Sequence, residues 1–242
     1  GLGGFAFFLF AIVTVMNTIS AEFEGGTIVP LLAKPVSRTT VFFGKLFAAF
    51  LTLLATYCFL MIYLIVGGSV VYGSQNNLQL VPLSLLGALF STLIWIAIVL
   101  FFGTLFRNSL IAALGPFGIW LGTNIIGQII ALVAGQGWIL TYILGSGNTG
   151  YVGEPDLGVP VATGTDSIGP NLINYILHPS WKVTYYKINI GEITLGHPVE
   201  WVRLYSEPLS TVILMSIAVA LVYFIVFVAI SWYVFRRAQI TE

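Results

Sequence analysis

The chain has 242 residues, 58% of them hydrophobic and only 7% charged, with nine basic and nine acidic residues and a formal net charge of zero. A soluble domain carries roughly 25% charged residues, so the composition excludes a water-facing surface over most of the chain, and the balanced charge leaves no footprint for nucleic acid. Four stretches, 1–21, 46–106, 108–153 and 208–235, contain no Asp, Glu, Lys or Arg; a span needs about 20 apolar residues, so a polytopic membrane protein is expected.

Runs such as Leu46–Val66 and Leu209–Val234 are apolar on every side, where barrel strands would alternate. With no water to pair the backbone in lipid, they read as α-helices. Five spans are expected, at roughly 1–20, 41–72, 81–106, 109–134 (with an extension toward 144) and 208–235. The run 46–106 is too long for one helix, and Gly73-Ser-Gln-Asn-Asn77 followed by Pro82 supplies a turn. The chain opens on Gly1 within apolar sequence and without the basic leader of a signal peptide, from which we expect a further helix upstream. Cys58 is the single cysteine; it allows no intrachain disulfide and reads as a buried packing thiol.

Between the first two spans the text changes. Glu22 and Glu24 end a membrane helix at the surface, Gly25-Gly26 breaks it, and Thr27 can cap a short helix carrying Leu31 and Leu32. Pro35 ends that helix, and Ser37 or Thr39 can cap the next. The product is a short amphipathic helix across one mouth of the bundle. Its pattern suits either docking to a soluble partner or resting on lipid headgroups.

Lys34, Arg38, Lys45, Arg107, Arg236 and Arg237 fall on one side of a five-span layout. The positive-inside rule makes that side cytoplasmic, with the C-terminus inside. The fourth span is broken and polar: Gly118-Ile-Trp-Leu-Gly122 forms a GxxxG, and Asn124 and Gln128 share a helix face. Packing within the subunit, a dimer seam and a translocation path all fit that face. No ionisable residue falls deep inside any span, which weighs against a proton relay and for an external energy source.

Residues 146–207 are too long for a connector. Gly145–Pro170 is expected to be irregular, Asn171–Leu177 a short amphipathic helix, and Lys182–Leu195 a hairpin turning near Asn189-Ile-Gly191. Trp181, Tyr185, Tyr186, Trp201 and Tyr205 are expected in an interfacial aromatic belt. His178 and His197 have no compact ligand spacing, so no metal site is expected. His-Glu-x-x-His, paired intramembrane acids and an intramembrane Lys are all missing from the sequence, which removes the usual intramembrane enzymes.

Ile19, Ser20, Glu22, Glu24, Gly26, Thr27, Leu31, Leu32, Pro35, Val36, Ser37 and Arg38, then Gly44 and Lys45, occur at the spacings of one loop pattern. It resembles the cytoplasmic loop of type-2 ABC transporter permeases, with Val29-Pro30 departing where the family often has an acid. Leu105–Leu114 and Tyr233–Arg237 resemble a later turn and the usual ending. The resemblance implies an all-α, type-2 ABC exporter-like transmembrane domain with five of six spans present. Residues 1–145 would hold spans and the coupling-helix loop 21–40, residues 146–207 an extracellular loop domain, and residues 208–242 the last span and tail.

In that family the loop seats in the ATP-binding subunit, so Glu22, Glu24, Gly26, Thr27, Leu31, Leu32, Pro35 and Arg38 would dock the ATPase. Gly118, Gly122, Asn124 and Gln128 would lie at a dimer seam or along the translocation path. No Gly-x-x-x-x-Gly-Lys-Ser/Thr occurs, so this chain is expected to be no enzyme and to bind no cofactor itself. ATP and Mg would belong to partner subunits, beside a second permease copy or homologue. The alternative is a membrane anchor or assembly subunit that holds partners without moving a substrate.

Overall fold

The computed structural model describes residues 2–25, 37–73, 76–133, 139–145, 147–153, 158–188 and 201–237. Helices α1 (Leu2–Glu24), α2 (Arg38–Tyr72), α3 (Val81–Phe106) and α4 (Ser109–Val133) come first. A short α5 (Ile139–Tyr142) leads to strands β1 (Gly147–Val152) and β2 (Val159–Thr163). A single 3-10 turn, Thr165–Ser167, runs into α6 (Ile168–Leu177), and β3 (Lys182–Ile188), β4 (Trp201–Pro208) and α7 (Leu209–Arg237) complete the order. Arg38–Tyr72, Leu78–Phe106, Ser109–Ile130 and Leu209–Arg237 are each long and apolar enough to cross a membrane.

Helix α3 is the hub. It has no polar face, and every side chain from Ile94 to Leu100 is buried, as expected for a helix wrapped by others. Helices α1, α4 and α7 pack around it. Helix α2 is peripheral. It buries only the stripe Phe42, Ala49, Leu53 and Tyr57, while Phe47, Phe59 and Ile62 on its other side stay exposed. Its start is set by Ser37, whose side chain accepts from the Thr40 N–H, and its end by Gly73 at φ 79°, a left-handed conformation that glycine reaches without a Cβ clash. Tyr57 and Thr92 hydroxyls share a hydrogen bond of 2.6 Å, the polar tie between α2 and the hub. Cys58, expected to be buried, is half-exposed on this peripheral helix.

One expectation about residues 146–207 needs correcting. The glycine-rich stretch after Gly145 is not irregular throughout; it supplies two strands of a four-stranded antiparallel sheet in the order β2-β1-β3-β4. Strand β3 pairs with β4, in the register Ile188↔Trp201 to Lys182↔Pro208; the turn expected near Asn189-Ile-Gly191 lies outside the described residues. The chain is thus mostly helical with one sheet. Glycine explains why the strand pattern was hidden: a Cβ at Gly150 in β1 would run into Val183 of β3, so close packing has replaced a visible apolar residue.

The aromatic belt also changes. Tyr185 is 1% and Tyr186 7% exposed, and Tyr185 stacks on Tyr205 with centroids 4.7 Å apart. Tyr185 and Tyr205 help fill a small core between the sheet and the first turns of α7, with Val183, Leu209, Val212 and Ile213, while Tyr186 donates to the Gly153 carbonyl and meets Tyr151 edge to face. Nor does the sheet region stand apart from the helices. Ile168 of α6 belongs to the main core with residues of α1, α3 and α7. A Cβ placed on Gly87 of α3 would overlap the Gly169 backbone of α6, so these two helices cross at backbone contact.

Candidate functional site

One end of the bundle carries a lattice of polar contacts that joins five helix ends. Helix α1 arrives there with Glu22 and Glu24. Lys45 of α2 donates to Glu22 Oε1 and to the Thr18 carbonyl, both at 2.5 Å, so one ammonium ties α2 to the last turns of α1. Glu24 reaches across to α4. Its Oε1 accepts the Ser109 N–H at 2.9 Å and its Oε2 accepts the Ser109 hydroxyl at 2.7 Å.

Helix α4 begins without an acidic residue of its own, and its first N–H groups need acceptors. Asn108 Oδ1 takes the Ile111 N–H at 3.0 Å and Glu24 takes that of Ser109, a negative charge where the helix dipole favours one. These two bonds hold the Glu24 carboxyl below the usual glutamate range, the hydroxyl contributing most. Arg107, the first of the two residues between α3 and α4, takes φ 53° and lays its guanidinium over the Phe23 ring at 5.1 Å.

Helices α2 and α7 close the lattice. Arg38 donates to the Arg236 carbonyl at 3.2 Å, Trp232 Nε1 donates to Thr39 Oγ1 at 3.2 Å, and Phe23 meets Phe235 edge to face. Five of the six cations assigned to one side, Arg38, Lys45, Arg107, Arg236 and Arg237, therefore gather at this end. Lys34 lies outside the described residues, as do Gly26, Thr27, Leu31, Leu32 and Pro35 of the loop itself. Glu24 engages Ser109 through both carboxylate oxygens, and Glu22 engages Lys45 through Oε1, its Oε2 having no partner among the described residues.

The four residues singled out on α4 do not form one face. Gly118 and Gly122 look into open space on the side where a Cβ would stand, between the exposed Leu114, Leu121 and Ile125. Asn124 points elsewhere, donating to the Trp120 carbonyl at 2.8 Å and lying beside Gly145. Gln128 is half-buried. The GxxxG is an open apolar groove, and the amide packs within the subunit.

A second polar site was not foreseen. The turn Thr165–Ser167 brings Asp166 against α3, where Trp95 Nε1 donates to its Oδ1 at 3.1 Å. Ser91 of α3 donates to the Thr165 carbonyl at 3.0 Å, and the Gly145 N–H donates to Thr165 Oγ1 at 3.1 Å. Asp166 is 6% exposed and its Oδ2 has no partner among the described residues. Burial pushes the carboxyl up to about 7, against the lowering effects of the Trp95 bond, the charge of the chain's amino terminus and the Thr165 hydroxyl. Trp95 stands near the middle of α3, so an acid does sit beside the centre of an apolar helix, though it arrives from another segment. The expectation of no deep ionisable group held for the helices' own residues only. Gly164, at φ 104°, was the local signal of a tight entry into this turn. His178 stacks on Trp181 with centroids 4.3 Å apart, and no group of metal-binding side chains occurs among the described residues; His197 lies outside them.

The family model described as ABC-2 family transporter protein matches residues 3–121. Comparison with curated proteins and with solved structures gave no match. The matched stretch contains α1, α2, α3, the first half of α4, the loop between α1 and α2, and the Glu22–Lys45 and Glu24–Ser109 contacts that bracket it. That match, over just under half of the chain, supports an ABC-2 type membrane permease.

Proposed function

We propose that this chain is the export permease of an ABC transporter, driven by separate ATPase subunits that dock on the loop between α1 and α2. What supports this reading is the way that loop is anchored. The residues before it are tied to α4 through Glu24–Ser109 and to α2 through Glu22–Lys45, and Arg38, just after it, is tied to α7. A displacement of the loop by a nucleotide-driven partner would be passed to three membrane helices at once. A loop that only rested on lipid would need no such bracing.

On this reading the cation-rich end faces the cytoplasm and the sheet faces outward. The open groove of Gly118 and Gly122 meets a second permease copy. The cleft between α2, α3 and α7, about 350 Å³ and lined by Phe43, Leu46, Phe47, Phe50, Leu93 and Phe224, is wholly apolar and suits an apolar or amphipathic cargo. ATP and Mg are bound by the partner, not by this chain.

The test is purification in mild detergent. An ATPase subunit should accompany the wild-type chain and be lost from Leu31→Asp, while Glu24→Gln, which keeps a hydrogen-bond acceptor for Ser109, retains it. Absence of any ATPase, or one that stays bound to Leu31→Asp, would transfer the assignment to a membrane anchor that holds partners without transport.

A further inference from the structure

We propose that Asp166 is a proton-binding site, neutral while the turn Thr165–Ser167 is seated against α3 and ionised when the turn leaves it. The inference is independent of the export reading, since it concerns how this turn is held. The step is a simple acid dissociation: the carboxyl O–H breaks, the proton goes to the aqueous phase, and the carboxylate keeps the electron pair.

Geometry carries the argument. Helix α3 has 26 residues, about 39 Å at about 1.5 Å per residue, and Trp95 lies near its middle. An ionisable side chain at such depth is costly as a charge and is normally paired or functional. Asp166 has one N–H donor from α3, the Trp95 indole, with the Thr165 hydroxyl at 3.5 Å and an unpartnered second oxygen. No cationic side chain is supplied by the elements packed on the turn, and the positive charge that acts on the carboxyl is the chain's amino terminus. Those elements are α3, α6, α7 and β2; α3, α6 and β2 contain no charged residue, and α7 only Arg236 and Arg237 at its far end. Their titratable groups are Tyr175 on α6 and Tyr223 and Tyr233 on α7. Tyr175 is 37% exposed, Tyr223 donates to the Tyr142 carbonyl, and Tyr233 lies under Arg237.

A neutral acid leaves one O–H underused, a modest cost. An ionised one would leave a buried charge with one indole donor, a long Thr165 contact and only the amino terminus for a cation, a larger cost. Seating the turn therefore binds a proton, and deprotonation favours withdrawal. Gly145 and Gly164, both at φ 104°, flank the site, and Thr165, Ser167 and Asn171 are otherwise held only by neutral hydrogen bonds that water can replace.

The experiment is pH-difference infrared spectroscopy of the purified chain in lipid nanodiscs, with amide hydrogen exchange at residues 165–167 corrected for intrinsic rates. A protonated-carboxyl C=O band should be present at pH 6, vanish with a midpoint near neutrality, and be missing in Asp166→Asn. Exchange should rise above the same midpoint in the wild type and stay low at every pH in Asp166→Asn. Trp95→Phe removes a donor that favours the charged form, so its midpoint should move up by about one pH unit. A band that persists in Asp166→Asn, a band unchanged from pH 5 to 9, a midpoint in Trp95→Phe that stays or falls, or exchange indifferent to pH would each overturn the proposal.

Discussion

The Glu24 carboxylate caps a helix to which it does not belong: both its oxygens accept from Ser109, 85 residues later, through the backbone N–H at 2.9 Å and the hydroxyl at 2.7 Å. The last residue of α1 thereby completes the first turn of α4. A capping side chain is usually local; here the cap is a tertiary contact, so helix formation at the start of α4 depends on the position of α1.

Ser109→Ala removes the hydroxyl bond but keeps the backbone N–H for Glu24 Oε1, and should lower the thermal midpoint in nanodiscs by about 2–4 °C; Glu24→Ala removes both bonds and should lower it further. The double variant should lose little more than Glu24→Ala alone, because that change already removes the bond that Ser109→Ala deletes. Additive losses would show that the two residues act separately. The pH dependence follows from the sign of the shift. The folded Glu24 titrates below the unfolded value of about 4.3, so its stabilisation is complete above that value and is lost as pH falls through the folded one. The deficit of Glu24→Gln should be present at pH 7 and shrink below about pH 4.

Gly87 and Gly169 set the crossing of α3 and α6. A methyl on Gly87 would fall within the Gly169 backbone, and backbone cannot move aside as a flexible side-chain end can. Gly87→Ala should therefore cost about 1–3 kcal/mol or more, and it should loosen the turn that carries Asp166. Gly67→Ala on α2 is the control: nothing lies within 4 Å of its added carbon, so ordinary helix propensity makes it neutral or stabilising by about 0.5–1 kcal/mol. Equal melting of the two variants would refute the crossing.

These contacts mark the limit of what the chain's text discloses. The helices from Arg38, Val81 and Leu209 were legible because a lipid-facing helix must be apolar over a fixed length, and that leaves a long uncharged run. Glu24, like Glu22, was legible as a helix end, since residues 1–21 carry no charge and an acid that follows them has to meet water or a donor; its donor was not, because nothing in a Ser109 eighty-five positions away encodes proximity. Asp166 was hidden for a different reason. Among Gly, Thr and Pro an acid looks solvated, and only the approach of Gly87 to Gly169 lets that segment reach Trp95. Strand β1 was lost the same way, its packing position at Gly150 being occupied by Val183 of the neighbouring strand.

Lys45 makes two bonds with one ammonium, to Glu22 and to the Thr18 carbonyl. The side chains are 19% and 27% exposed, so solvent screens the pair only in part. Lys45→Met leaves the Glu22 carboxylate without its cation and removes the side-chain donor to the Thr18 carbonyl, and should cost about 1–3 kcal/mol; Glu22→Gln keeps an acceptor for the ammonium, loses only the charge and should cost less. Exchanging the two as Glu22→Lys with Lys45→Glu restores the ion pair but leaves the Thr18 carbonyl without its side-chain donor. The exchange should recover part of the lost stability, measured by thermal unfolding in nanodiscs, and full recovery would show that the Thr18 bond contributes nothing.

Gly118 and Gly122 separate folding from assembly. Both face open space on α4, and the side chains beside them, Leu114 at 57% and Ile125 at 56% exposure, have no partner that excludes lipid within the described chain. Small residues four apart let a second helix approach until backbones nearly touch, and a branched side chain there prevents it. Gly118→Ile and Gly122→Ile should leave the monomer's melting within about 2 °C of wild type. They should reduce the yield of a disulfide-linked dimer, formed through a Cys introduced at Leu114 in a Cys58→Ser background, at least several-fold. Loss of melting temperature would mean that the groove is filled within the subunit, and an unchanged dimer yield would place the seam on another face, the exposed side of α2 around Phe47 and Phe59 being the next to test.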